Sequence, residues 1–264
     1  MTPHCLTIAG SDPGGGAGIQ GDLKTFTRLE AYGMAVVTAL TAQNTHEVRG
    51  VHAVPSDFVR LQLRTVLDDI RCDAAKTGML ANAAIIRAIA EELSTGEKIP
   101  LVVDPVMVST SGARLLEEDA VQAMRECLMP LATIATPNMP EAGVLSGMVI
   151  RDVEDAIQAA KAIHALGARV VVVKGGDVEF EPGTVCDVVF DGEQVTVLRA
   201  PRISSGNTHG SGCALAAALA VGLARGLTPF QAIDLARRFV RSAIEASERV
   251  GRGPGPVNHL RAEA

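Results

Sequence analysis

GNTHGSGCALAAALAVGLA, residues 206–224, runs a glycine-rich turn straight into a helix of Ala, Leu and Val. A helix start leaves several backbone N–H groups without intrahelical partners. Those donors point along the axis, where the helix dipole also favours negative charge. Gly210, Ser211, Gly212 and Cys213 therefore form a candidate anion cradle. Glycine lets the backbone come close to an anion and adopt positive φ where the turn needs it. Cys213 falls in the first turn, where a thiol is expected to ionise more easily. A loop feeding a buried Ala-rich helix explains the same residues equally well, so the turn has to be weighed with the rest of the chain.

Upstream, short apolar runs alternate with helical patterns. Strands are expected over residues 5–9, 34–42, 74–76, 101–103, 132–135 and 169–173. Helices are expected over 18–29, 55–70, 83–93, 116–128, 153–166 and 229–247. Two further β-rich runs, 184–190 and 194–198, flank Asp191-Gly192, a strong hairpin signal. The alternation predicts a mostly parallel sheet with helices on both faces, with the hairpin extending one edge. No linker, repeat or low-complexity block interrupts it, so one domain over 1–264 is expected. Polar and glycine residues gather just after the strands, at 10–22, 43–45, 77–79, 104–112, 136–141 and 174–177. In such folds ligands bind at those carboxyl ends.

Composition narrows the classes. The chain is 47% hydrophobic but only 3% aromatic, without Trp, so its core must come from aliphatic residues. That suits parallel strands covered by helices. With a net charge of −6 and almost no aromatics for base stacking, nucleic-acid binding is not expected. The five cysteines show no CxxC spacing, which argues against a disulfide framework and for a reducing compartment. No apolar run approaches the roughly 20 residues of a membrane span. The N-terminus lacks a signal-peptide pattern. A soluble, cytoplasmic protein is the expectation.

Gly16-Ala17-Gly18-Ile19-Gln20-Gly21 matches GxGxxG, yet the next strand ends in Gln43-Asn44 instead of an acidic residue. The dinucleotide reading fails that test, and neither glycine loop carries the GK[ST] of a Walker loop. Asp104, and Asn138 with Glu141 in NxxE spacing, follow strands and offer oxygens to a hydrated Mg²⁺. Each also has a local reading: a turn before Pro105 for Asp104, a helix start for Asn138 and Glu141. Lys174, after an all-valine strand and before two glycines, can reach a phosphate or stand as a solvated strand-end charge.

Taken together these pieces resemble the hydroxymethylpyrimidine kinase/phosphomethylpyrimidine kinase family of thiamine biosynthesis, a branch of the ribokinase superfamily. The matching pieces are TIAGSDPGGGAGIQGDLKTF (7–26), TALTAQNT (38–45), KTGML (76–80), DPVMVSTSG (104–112), TPNMPEA (136–142), VKGG (173–176) and NTHGSGCALAAALA (207–220). The resemblance implies a ribokinase-like three-layer α/β/α sandwich without a separate lid domain, assembled as a homodimer. It implies ATP- and Mg²⁺-dependent phosphorylation of 4-amino-5-hydroxymethyl-2-methylpyrimidine, then of its monophosphate. By the same resemblance Gly210, Ser211, Gly212 and Cys213 form the anion hole, with Cys213 at the catalytic-base position. Gln43 would bond the aminopyrimidine edge, and Ala17, Asp22 and Met79 would line the substrate pocket. Asp104, Asn138 and Glu141 would hold the metal's water shell, and Lys174 would meet ATP phosphates. Ser211 replaces a usual Thr, which preserves the amide and hydroxyl. Asp177 replaces a common His and sets a negative charge against the nucleotide. Residues 109–112 suit a mobile flap. A pyridoxal-type kinase, a sugar kinase and a non-catalytic pyrimidine sensor are the competing readings.

Overall fold

Val170, Val171, Val172 and Val173 show how the sheet is built. Val171 and Val173 join one buried core, while Val170 and Val172 join another. Successive strand residues point to opposite faces, so an all-valine strand is covered on both. This computed structural model describes residues 1–107 and 118–263. The proposed flap at 109–112 lies outside the described residues.

The strands are β1 (His4–Ser11), β2 (Tyr32–Gln43), β3 (Val48–Ala53), β4 (Ala74–Thr77), β5 (Leu101–Val103), β6 (Ile134–Ala135), β7 (Val170–Val173), β8 (Thr184–Phe190) and β9 (Val195–Pro201). They form one sheet in the order β3-β2-β1-β4-β5-β6-β7-β8-β9. The six strands from β2 to β7 in that order run parallel, while at the edges β3 pairs antiparallel with β2, β8 antiparallel with β7 and β9 antiparallel with β8. The hairpin turns where expected: Asp191 Oδ1 accepts the Glu193 and Gln194 N–H groups.

The helices are α1 (Gly18–Arg28), α2 (Ser56–Leu67), α3 (Ala83–Thr95), α4 (Glu118–Ala123), α5 (Met139–Ser146), α6 (Val153–His164), α7 (Ser211–Ala224) and α8 (Pro229–Glu245). Beyond α4 the chain continues through a π-helical turn, Met124–Leu128. Residues of α2 to α6 line the first core, and residues of α1, α7 and α8 line the second. This is a three-layer α/β/α arrangement. None of the described helices is long and apolar enough to cross a membrane.

Two elements differ from the sequence expectation. β3 is absent from it, because five of its six residues are exposed and neither face carries a buried apolar row. α5 appears in it only as the local reading of Asn138 and Glu141, a helix start, which the capping box there realises.

The chain leaves β1 for β2 on one side and returns to β4 on the other. A crevice opens at such a reversal of strand order. The final segment reaches back to it: His209 N–H donates to Gly255 O, and Val257 N–H donates to His209 O. Gly16 is enclosed there, since an added Cβ would stand 2.6 Å from the His209 ring and 2.8 Å from Pro256. His259 anchors the segment at 3% exposure, its Nε2 without a hydrogen-bond partner among the described residues. Burial, aided by Lys24 and His209, pushes its pKa down to about 4. Below roughly pH 6.5 the unfolded chain takes up a proton that the folded chain refuses. Stability is therefore present above that pH and is lost as pH falls toward 4, by on the order of 3 kcal/mol. Urea unfolding across that window should show the loss, and His259→Leu should flatten it. An unchanged slope in the variant would assign the effect elsewhere.

Candidate active site

A cleft of about 740 Å³ opens at the carboxyl ends of the central strands. Ala17, Gln43, Met79, Asp104, Asn138, Glu141, Lys174, Asp177 and Gly210 to Cys213 all line it. Asp22 does not. It is fully buried on α1, where it accepts from Thr7 Oγ1 at 2.6 Å and Lys76 Nζ at 3.0 Å. The helix period turns this residue inward, away from the cleft, so its expected place in the substrate pocket is corrected.

The start of α7 is built by Gly210, which holds φ at +80° with no side-chain cap above it. An added Cβ there would overlap the Gly16 carbonyl oxygen. Two glycine-rich loops thus touch backbone to backbone. The Ser211 N–H donates to Thr208 O, and Ala214 makes the first bond back to Gly210. The donors that helix geometry directs outward are therefore those of Gly212 and Cys213.

Below them lies an ion pair. Lys174 Nζ donates to Asp104 Oδ1 at 2.7 Å, and Thr136 Oγ1 donates to the same oxygen at 3.1 Å. An added Cβ on Gly212 would stand 3.3 Å from Lys174 Nζ and 3.9 Å from Asp104 Oδ2. Turn, ammonium and carboxylate are one unit. Burial works against the Lys174 charge, but Asp104 and Glu141 outweigh it and raise its pKa. Lys174 is an ammonium at any physiological pH.

Asn138 and Glu141 form a capping box at the start of α5. Asn138 Oδ1 accepts from Glu141 N–H at 2.9 Å, and Glu141 Oε2 accepts from Asn138 N–H at 2.8 Å. The local reading of both is realised, yet Glu141 still lines the cleft. Burial pushes its carboxyl up to about 7, against the pull of Lys174. Among the described residues no group of three or more His, Cys, Asp or Glu is placed to ligate a metal directly.

The thiol departs from its expected behaviour. Burial pushes Cys213 up to about 11, even though Lys76 and a hydrogen bond from the Gly18 N–H act to lower it. A helix N-terminus favours the thiolate by a fraction of what burial costs here.

Asp12 is a residue that sequence reasoning misses. Its carboxylate accepts the Gly14, Gly16 and Ala17 N–H groups and the His209 Nε2 contact at 3.1 Å. Burial opposes its ionisation, but these bonds lower its pKa overall. The signal was present, since Asp-Pro before glycines is a turn in which the carboxylate binds backbone N–H groups. At the far end, Arg202 donates to Gly176 O and Val178 O, fixing the loop after Lys174.

Comparison with known proteins places this geometry. The phosphomethylpyrimidine kinase family model matches residues 12–258. The hydroxymethylpyrimidine/phosphomethylpyrimidine kinase of Bacillus subtilis is 44% identical over 97% of this chain and 94% of its own length. The thiamine biosynthesis bifunctional protein ThiED of Geobacter sulfurreducens is 50% identical over 97% of this chain, which spans 52% of that protein. Among solved structures, the ADP complex of Bacillus subtilis pyridoxal kinase superimposes with a TM-score of 0.92 at 41% identity, covering 99% of this chain and 98% of its own. The ribokinase-like fold is thereby shared, and the chain belongs to the phosphomethylpyrimidine kinase family.

Proposed function

We propose that this protein transfers the γ-phosphoryl group of ATP to 4-amino-5-hydroxymethyl-2-methylpyrimidine, and then to the monophosphate so formed, in thiamine biosynthesis. The observation that carries the reading is the unit of Gly212 and Cys213 over the Lys174–Asp104 pair, in one cleft with Gln43 and Met79. Phosphoryl transfer needs positioning and charge neutralisation more than covalent chemistry. The amides of Gly212 and Cys213 and the Lys174 ammonium neutralise negative charge on the phosphates. Gln43 bonds the pyrimidine edge, with Ala17 and Met79 packing the ring. Cys213 takes the hydroxyl proton in the first transfer.

Mg²⁺ fits the donor set. Asp104 Oδ2 faces the turn at Gly212, and burial raises the Glu141 carboxyl to about 7 despite Lys174, so a cation there would favour its carboxylate. These two carboxylates would hold the ion through its own waters, with Asn138 orienting Glu141. Bound there, Mg²⁺ supplies charge neutralisation to the phosphates. Assembly as a homodimer belongs to the same reading. Leu40 and Val51 on the β2–β3 edge, and Phe58 and Leu61 on α2, expose apolar side chains that a second copy would cover.

Pyridoxal is the competing acceptor, favoured by the high similarity to a pyridoxal kinase. A coupled ATP assay with the pyrimidine alcohol, its monophosphate and pyridoxal separates them. The pyrimidine is expected to turn over with the higher kcat/KM, and pyridoxal ahead of it would reverse the assignment. Sedimentation of the same sample should give a dimer; a monomer would remove the assembly claim.

A further inference from the structure

Residues 251–257, after α8, touch three loops in turn. The first is the β2–β3 loop: the Gly253 N–H donates to Thr45 Oγ1 at 3.1 Å, and an added Cβ on Gly253 would overlap the Thr45 carbonyl oxygen. Next, the Gly255 N–H donates to Asn207 Oδ1 at 3.1 Å, and Gly255 O accepts from the His209 N–H. Pro256 then packs on Gly16, and the Val257 N–H returns to His209 O. Past these contacts the Asn258 N–H donates to Ala243 O, which foots the segment on α8. The β2–β3 loop is itself closed. The Asn44 N–H donates to Glu47 O, and Asn44 Oδ1 accepts from the His46 and Glu47 N–H groups. Gln43, the last residue of β2, stands in register with Val48 just past an irregularity in the ladder. A loop closed in this way carries the position of Thr45 to Gln43, two residues away. A tether that only fastens the end of a segment needs one anchor. This one has separate anchors at Thr45, at Gly16 and at residues 207–209, and Gln43, Ala17 and Gly210 beside them all line the cleft.

We propose that residues 251–257 are a strut that holds the acceptor end of the cleft at a fixed separation from the turn opening α7, with Thr45 and Asn207 as the positioning residues at its two ends. This rests on the proposed place of the acceptor at Gln43. Phosphoryl transfer depends on keeping acceptor and phosphate in line, and a displacement of about 1 Å can cost about 10²-fold in rate. Neither Thr45 nor Asn207 is among the described residues that line the cleft, so each acts through the backbone it holds.

Steady-state kinetics with ATP and the pyrimidine alcohol test the strut. Thr45→Val removes the hydroxyl at nearly constant volume. It should raise the KM for the alcohol about five- to tenfold, the scale of one neutral hydrogen bond, and leave the KM for ATP unchanged. Thr45→Ser keeps the hydroxyl and should behave as the wild type. A folding defect lowers the active fraction and leaves both KM values in place, so an unchanged alcohol KM, or an equal rise in both, overturns the proposal. Asn207→Ala releases the other end and should raise the same KM. Combined with Thr45→Val it should add little, because one break already frees the strut; effects that multiply mean two independent contacts and overturn it. Hydrogen exchange over 251–257 gives a readout without turnover: Thr45→Val should speed it, and unchanged protection overturns the proposal. If pyridoxal proves the acceptor, the same comparison is made with its KM. Gln43→Ala tests the acceptor reading separately. A raised KM in Gln43→Ala with none in Thr45→Val removes the strut alone, and the reverse removes the Gln43 contact and keeps the strut.

Discussion

Cys213→Ala should reduce phosphorylation of the pyrimidine alcohol by about 10²- to 10⁴-fold, the range of a general base, and leave phosphorylation of the monophosphate nearly unchanged. The two acceptors differ in one proton. A phosphate monoester has its second pKa near about 6 and is already dianionic at neutral pH. The alcohol must lose its proton as it attacks. The structure adds a pH signature. With the thiol pushed up to about 11, the thiolate is a small fraction at pH 7 and grows tenfold with each pH unit. The first transfer should therefore rise with pH through the neutral range, and the second should stay flat. Separate assays on the two acceptors, each across pH, decide the matter. Equal losses in the alanine variant would mean that Cys213 only fills space at the helix start.

Gly210→Ala should impair both transfers together, by about 10²- to 10³-fold, the scale of losing donors that stabilise developing negative charge. Gly210 sits at φ +80°, where a Cβ is strained, and its added methyl would collide with the Gly16 carbonyl oxygen. Either the turn or the facing loop must shift. The first displaces the Gly212 and Cys213 amides, and the second displaces Ala17 and the acceptor. The contrast with Cys213→Ala is diagnostic, because one variant discriminates between acceptors and the other does not. A Gly210→Ala enzyme with wild-type rates would show that the amides do not hold the phosphates.

The layered architecture was legible because its central strands are apolar on both faces, as in Val170 to Val173 or Leu101 to Val103. Such runs need helices above and below, whatever the tertiary detail. β3 was illegible for the opposite reason: its residues face solvent, and only pairing with β2 makes them a strand. The glycine turn at 210–213 was read from its place before a helix, and Lys174 and the carboxylates from their places after strands; all of them line the cleft. Their mutual contacts were not legible, because Asp104 and Lys174 are 70 residues apart and meet only through the sheet order. Asp22 illustrates the limit of motif reading. It lies about one helical turn beyond Gly18, which lines the cleft, and its orientation depends on how α1 rolls against β1 and β4. Lys76 left a trace of its own, a lone charge in a short strand beside two alanines, which demands a partner once buried.

The crossing of residues 255–257 over the loop at 14–17 bears on the order in which the molecule is made. The turn that opens α7 is closed on one side by residues 14–17 and on the other by residues 255–257. During synthesis every strand can leave the ribosome and pair before that closure is available. Closing a loop of about 240 residues carries a larger entropic cost than pairing neighbouring strands. The nascent protein can thus pair its strands before residues 255–257 close over the loop at 14–17.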